Sequence, residues 1–192
     1  MKGYNIIGLY NVLTSLIYTK ICHRKARLIR LPVSIRGSEN IDLGEGLVSG
    51  RYCRIDALSK KNRQISFGNN CQINDSVHIA AIDSINIGDN VLIASRVFIT
   101  DHQHGCYSGN NISFPEELAS QRRLSSKPVT LGNNVWVGEG VCILPGVSIG
   151  DNSIIGANSV VTKSLPKNVI ACGNPVKVIK EFDERSQTWR SL

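Results

Sequence analysis

The chain has 192 residues, enough for one domain with a substantial core, and at 42% apolar and 19% charged it reads as globular rather than disordered. Its formal net charge of +7 suits phosphate-bearing ligands, an anionic membrane or nucleic acid, but the absence of a recognition helix, a zinc finger or aromatic–basic interleaving argues against nucleic acid. Cys22, Cys53, Cys71, Cys106, Cys142 and Cys172 are scattered with no CxxC pair, so free thiols in a reducing cytoplasm are expected rather than disulfides or structural zinc.

Residues 3–19 carry no charge, and a basic run follows: Lys20, His23, Arg24, Lys25, Arg27 and Arg30. A signal peptide has its charges first, so this order is reversed. Asn11, Thr14 and Ser15 make the stretch a poor membrane span. Ile6, Leu9, Leu13, Leu16 and Ile17 fall on one helical face, which predicts an amphipathic helix within an N-terminal cap of residues 1–34. Two roles stand open. The helix covers the open end of the core, or it rests on an anionic membrane with the basic run against phosphates.

From Leu43 onward a six-residue period emerges. LGEGLV begins at Leu43, FGNNCQ and INDSVH at Phe67 and Ile73, IGDNVL and IASRVF at Ile87 and Ile93. Near Ala81–Ser84 the register slips by two residues, and after Ile99 it disappears until Val129. From Leu131 it runs unbroken through LGNNVW, VGEGVC, ILPGVS, IGDNSI, IGANSV and VTKSLP. Six residues are too few for a helical solenoid unit, but they suit a coil whose every side is one short strand and a corner, with three sides to a turn. Aliphatics at the first position then point inward, and Gly or Asn pairs such as Asn69–Asn70, Asn133–Asn134 and Asp151–Asn152 make the corners. This predicts an all-β parallel β-helix over residues 35–180 with an extruded loop at 100–128. Residues 181–192 are left as a tail, and the C-terminal segment from Lys177 as a cap for the last coil. The loop carries His102 and His104, which marks it as an active-site loop. Its Arg122 and Arg123 either hold an anionic sugar nucleotide or lipid diphosphate, or merely solubilise it.

The hexads, followed by Thr162–Lys163 and by CGNPVKVIK at Cys172–Lys180, resemble the hexapeptide-repeat acyltransferases. NNVWVGEGVCILPGVSIGDNSIIGANSVVTK is similar to the galactoside and maltose acetyltransferase branch. DHQHG with its long loop is most similar to bacterial O-antigen and capsule O-acetyltransferases. The resemblance implies a left-handed β-helix, a homotrimer with sites between subunits, and transfer of acetyl from acetyl-CoA to a sugar hydroxyl. Counting five residues from the inward Ile99 gives His104 as the family's catalytic histidine, with His102 as the competitor. Asn74 falls on an acceptor-contacting asparagine. Ile82 replaces an acceptor-binding aspartate, and Asp83 stands beside it. Trp136, Gly138, Glu139, Ala157, Thr162, Lys163, Lys177 and Lys180 are carried over as the coenzyme A-binding set, Glu139 standing where a relative has a serine. Asn158 replaces a corner glycine.

The chemistry asked of these residues is modest. An alcohol is a weak nucleophile at neutral pH, so a histidine takes its proton and later protonates the departing thiolate. A backbone N–H at a corner can stabilise the oxyanion. Neither metal nor acyl-enzyme is needed. Trp136 either walls a pantetheine channel or fills a corner, and Lys177 and Lys180 either meet phosphates or are tail charges. Three rival readings remain: an amino-sugar N-acetyltransferase, an inactive scaffold, and a zinc hydrolyase using His78, His102 and His104. The expected location is the cytoplasm, with peripheral contact at the inner membrane through the N-terminal helix.

Overall fold

The computed structural model describes residues 5–59, 63–109 and 111–192; residues 1–4 of the expected N-terminal cap lie outside them. The hexads become the sides of a three-faced parallel β-solenoid. The first face stacks seven parallel strands: Leu28–Ile29, Val48–Ser49, Gln72–Ile73, Leu92–Ile93, Trp136–Val137, Ile154–Ile155 and Val169–Gly173. The second stacks Val33–Arg36, Cys53–Ala57, His78–Ala81, Phe98–Thr100, Cys142–Ile143 and Val160–Val161. The third stacks Ile41–Asp42, Ile65–Phe67, Ile85–Ile87, Val129–Leu131 and Ser148–Ile149.

The core is the column of inward aliphatics this stacking creates. First-position residues such as Ile73, Ile93, Leu131, Ile143 and Ile149 are buried, and so are the fifth-position Val77, Val91, Val97, Val135, Val141 and Val147. Each side therefore contributes two inward side chains, because the corner turns the fifth residue inward as well. Full burial of one such aliphatic is worth about 1.5–3 kcal/mol. At the corner before the first face, Asn70, Asn90, Asn134, Asn152 and Asn168 lie in the left-handed region with φ of 54° to 59°. Asparagine tolerates that region because its short side chain bonds locally.

A ladder of side-chain acceptors ties these corners together. The N–H groups of Glu45, Asn69, Asp89 and Asn133 donate to the Oδ1 atoms of Asn69, Asp89, Asn133 and Asp151, at 3.2, 2.6, 2.8 and 2.7 Å. The steps span 24, 20, 44 and 18 residues. Eighteen is the regular coil. Twenty contains the slip at Ala81–Ser84, and 44 contains the extruded loop. Excess residues leave at a corner while the stacked sides keep their pairing. The loop is rooted as a β-hairpin, His102–His104 pairing antiparallel with Leu124–Ser126.

At the N-terminus the helix forms at Ile6–Cys22, its first turn capped by Asn5 Oδ1 accepting from the Gly8 N–H at 2.8 Å. It covers the first coil with its polar side, not its apolar face. The buried helix residues are Ser15 and Thr19, whereas Ile6, Leu9, Leu13, Leu16 and Ile17 are exposed. Ser15 Oγ accepts from the Leu31 N–H at 3.0 Å and Thr19 Oγ1 from the Ile29 N–H at 2.8 Å. The open edge of the first coil presents backbone donors, and those require acceptors more than apolar cover.

At the other end Val169–Gly173 turns back into Val176–Asp183, which pairs with Thr188–Ser191. Residues 181–192 are thus part of an antiparallel hairpin rather than a loose tail. Val176 and Val178 pack against the core and close the last coil.

Candidate active site

The second face begins and ends at two corners, and these hold most of the residues singled out from sequence. The corner where the second face passes to the third holds Asp83, the start of the hairpin with His102, and two coils on, Thr162 and Lys163, which follow Val160–Val161. The corner where the first face passes to the second is a column of backbone steps. Asn74 N–H donates to Ile93 O, Ala94 N–H to Val137 O, Gly138 N–H to Ile155 O and Gly156 N–H to Ala171 O. Asn74, Gly138, Glu139 and Ala157 gather there. A single chain therefore holds its histidines at one edge of the second face and Asn74 with the Gly138–Ala157 group at the other.

Around His102 the geometry is specific. Thr100 ends the second-face strand Phe98–Thr100, and Asp101, which follows it, is fully buried. Its carboxylate accepts from the N–H of Ile82 at 3.0 and 3.2 Å and of Asp83 at 2.7 Å, while its Oδ1 lies 2.9 Å from His102 Nδ1. The two-residue slip at Ala81–Ser84 supplies both backbone donors. Burial pushes the Asp101 carboxyl up, but the hydrogen bonds from His102, Ile82 and Asp83 outweigh it and hold the group below the ordinary carboxylate value. An ionised Asp101 can only accept, so His102 Nδ1 keeps its proton and donates it in this hydrogen bond, leaving Nε2 as the acceptor. The His102 side chain keeps 13% exposure. Thr100 Oγ1, 3.2 Å from Nδ1, braces the same ring edge.

His104 differs. It is exposed, and its carbonyl accepts from the Tyr107 hydroxyl at 2.5 Å. Among the described residues no side chain is recorded in a hydrogen bond with its ring. Asp101 is the residue the sequence reading overlooked. Its signal was present: an acid next to a histidine, directly after an inward hexad, with an out-of-register step one coil below. His78 does not join the two histidines. Its Nε2 faces the buried Asp56 carboxylate at 3.3 Å, and burial pushes its pKa down, further lowered by the charges of Arg54 and Arg36 and partly countered by Asp56. Among the described residues no cluster of three or more His, Cys, Asp or Glu side chains could hold a metal ion.

The remaining residues sort by position. Gly138 is sterically required, since a Cβ there would stand 2.7 Å from both Ala157 N and Ile155 O. Glu139 pairs with Arg96 of the preceding coil. Trp136 is not in a corner. It stands half exposed on the first face, beside a 480 Å³ groove shared with Ile154, Phe182 and Trp189. Lys177 and Lys180 pair with Cys172 and Ile170, and a bulge at Ile170–Ala171 breaks strict alternation. Because those partners are two residues apart on one strand, both lysines face outward from the same side. Arg122 is committed to the loop itself, donating to the Tyr107 hydroxyl at 3.0 Å and to the carbonyls of Pro115 at 3.0 Å and Phe114 at 3.4 Å. It acts as a staple, which neither sequence reading anticipated.

The fold and this site define a class, that of solenoid transferases built from six-residue repeats. Residues 128–163 match the family model described as bacterial transferase hexapeptide (six repeats). The chain is 41% identical over 189 residues, covering 98% of itself and 95% of the relative, to a putative lipopolysaccharide biosynthesis O-acetyl transferase, WbbJ, of Escherichia coli K12. It is 43% identical over 123 residues to the galactoside O-acetyltransferase of Escherichia coli K12, covering 64% of this chain and 57% of that one. Among solved structures, galactoside acetyltransferase in complex with coenzyme A superposes with a TM-score of 0.55 at 36% identity, covering 80% of this chain and 68% of that one. An N-acyltransferase from Bacillus cereus, AntD, shares the fold with a TM-score of 0.67 at 24% identity, over 84% and 85% of the two chains. The chain belongs to the hexapeptide-repeat transferases, in their acetyltransferase branch.

Proposed function

We propose that the chain transfers an acetyl group from acetyl-CoA to a hydroxyl of a sugar in surface polysaccharide biosynthesis, O-antigen or capsule, with His102 as the general base. The observation that carries this is the buried Asp101 carboxylate bonded to His102 Nδ1 beside the second-to-third corner. Nε2 removes the acceptor proton as the hydroxyl oxygen attacks the thioester carbonyl. The C–S bond then breaks, and the imidazolium returns the proton to the thiolate. His104, preferred by register counting, has no such partner among the described residues and is assigned to acceptor contact, as is Asp83. The near-full-length similarity to a putative lipopolysaccharide O-acetyl transferase supports the hydroxyl acceptor and the polysaccharide setting.

The coenzyme A complex of galactoside acetyltransferase supports the donor. Coenzyme A is placed along the Gly138–Ala157 corner, with Trp136, Thr162, Lys163, Lys177 and Lys180 as further contacts. That corner and His102 bracket opposite edges of the second face, so a site using both draws one edge from each of two chains in a homotrimer. The exposed Tyr107, Ile112, Phe114 and Leu118 of the loop supply apolar surface for that contact.

The test is thiol release from acetyl-CoA with a panel of saccharide acceptors. His102→Ala is expected to lose about 10²–10⁴-fold in kcat, and His104→Ala to act mainly through acceptor KM. An abolished His104→Ala beside an active His102→Ala reverses the assignment. A product acetyl group stable to mild alkali identifies an amide and replaces the O-acetyl reading with N-acetylation.

A further inference from the structure

The N-terminal helix meets the first coil with its polar side and turns its apolar side outward. At 100° per residue, Leu16, Leu9, Leu13, Ile6, Ile17, Tyr10 and Ile21 sweep an arc of about 140°, and this arc faces away from the solenoid. Ile6 is 86% exposed, Leu13 57%, Ile17 53% and Ile21 71%. Ser15 and Thr19, on the opposite side, are already engaged with the first coil. A contiguous exposed apolar surface of this kind marks an interaction site.

Charge says what covers it. Residues 1–38 contain seven Lys and Arg and no Asp or Glu, which equals the entire formal net charge of +7; the rest of the chain is balanced. Lys20, Arg24, Lys25 and Arg27 are exposed within and just after the last helical turn. A symmetric contact with a second copy would bring two such cationic borders together. An anionic lipid surface takes both the apolar arc and its cationic border. Among the described residues no helix is long and apolar enough to cross a membrane, and 17 residues span about 25 Å against a hydrocarbon core of about 30 Å. The helix therefore lies in the interface. Lys20, inside the apolar arc, extends its ammonium to the headgroups.

We infer that the helix Ile6–Cys22 with the basic segment after it docks the N-terminal end of the solenoid onto an anionic bilayer. This does not depend on the acetyl-transfer reading.

The test is co-sedimentation of the full chain with phosphatidylcholine vesicles, with and without phosphatidylglycerol. Binding is expected only with phosphatidylglycerol and is expected to weaken at high salt. The Lys20→Gln, Arg24→Gln, Lys25→Gln variant should lose on the order of a hundredfold in partitioning. Leu13→Gln with Ile17→Gln should abolish it, with circular dichroism and acetyl-CoA binding retained as proof of fold. No binding, or equal binding to both vesicle types, overturns the proposal. So does a Leu13→Gln, Ile17→Gln variant that keeps lipid binding but loses mass in light scattering, since that face then joins copies of this chain.

Discussion

Replacing Asp101 by asparagine probes the site more sharply than removing the histidine. The native carboxylate accepts from three donors: His102 Nδ1 and the N–H groups of Ile82 and Asp83. Asparagine keeps the shape but owns one acceptor oxygen and one donor nitrogen. If the oxygen stays on the two backbone N–H groups, the amide faces Nδ1 and donates to it. The imidazole then carries its proton on Nε2 and has no lone pair for the acceptor hydroxyl. If the amide turns the other way, a backbone donor is left buried without a partner, at about 1–3 kcal/mol. The expected result is a folded protein, somewhat less heat-stable, whose kcat falls about 10²–10⁴-fold while acetyl-CoA affinity is nearly unchanged. Steady-state thiol release and thermal unfolding on the same preparations measure both parts. An Asp101→Asn enzyme that keeps more than about a tenth of wild-type kcat, well short of that loss, would refute the tautomer-holding role.

Two further outcomes follow from packing and charge. Gly138→Ala forces a methyl onto the backbone of the next coil at Ala157 and Ile155, so it should destabilise by about 1–3 kcal/mol and weaken acetyl-CoA binding; an unchanged melting temperature would show that the corner yields. Acid stability depends on Asp56 and Asp101. Burial raises the Asp56 pKa, but hydrogen bonds from Arg36 and His78 and the charges of Arg36 and Arg54 outweigh it, and both aspartates end below the ordinary value of 3.8. A carboxyl depressed by folding contributes stability above its unfolded pKa and loses it as pH falls through the folded one. The melting temperature should be insensitive to these groups near neutrality and fall below pH 3.8, and Asp56→Asn should flatten that fall. A pH-independent melting temperature through that range would refute the linkage.

The six-residue period, the inward aliphatics at its first position and the Asn and Gly corners were legible in the sequence. The reason is that a solenoid repeats one local problem: each coil meets only its neighbours, so every side writes the same constraint into its own six residues. Three features were decided by contacts between distant segments. Asp101 became the partner of His102 because the slip at Ala81–Ser84, a coil away, turns two N–H groups toward it, a contact that counting along one strand, which gives His104, does not register. The helix turned its apolar face outward because the first coil's edge offers backbone donors at Ile29 and Leu31, which Ser15 and Thr19 satisfy. Lys177 and Lys180 came to one side of the C-terminal hairpin only through the bulge opposite Ile170 and Ala171. Periodicity reports which residues a coil buries. Which polar groups meet depends on where the periodicity breaks, and a break acquires its partner only when the coils are stacked.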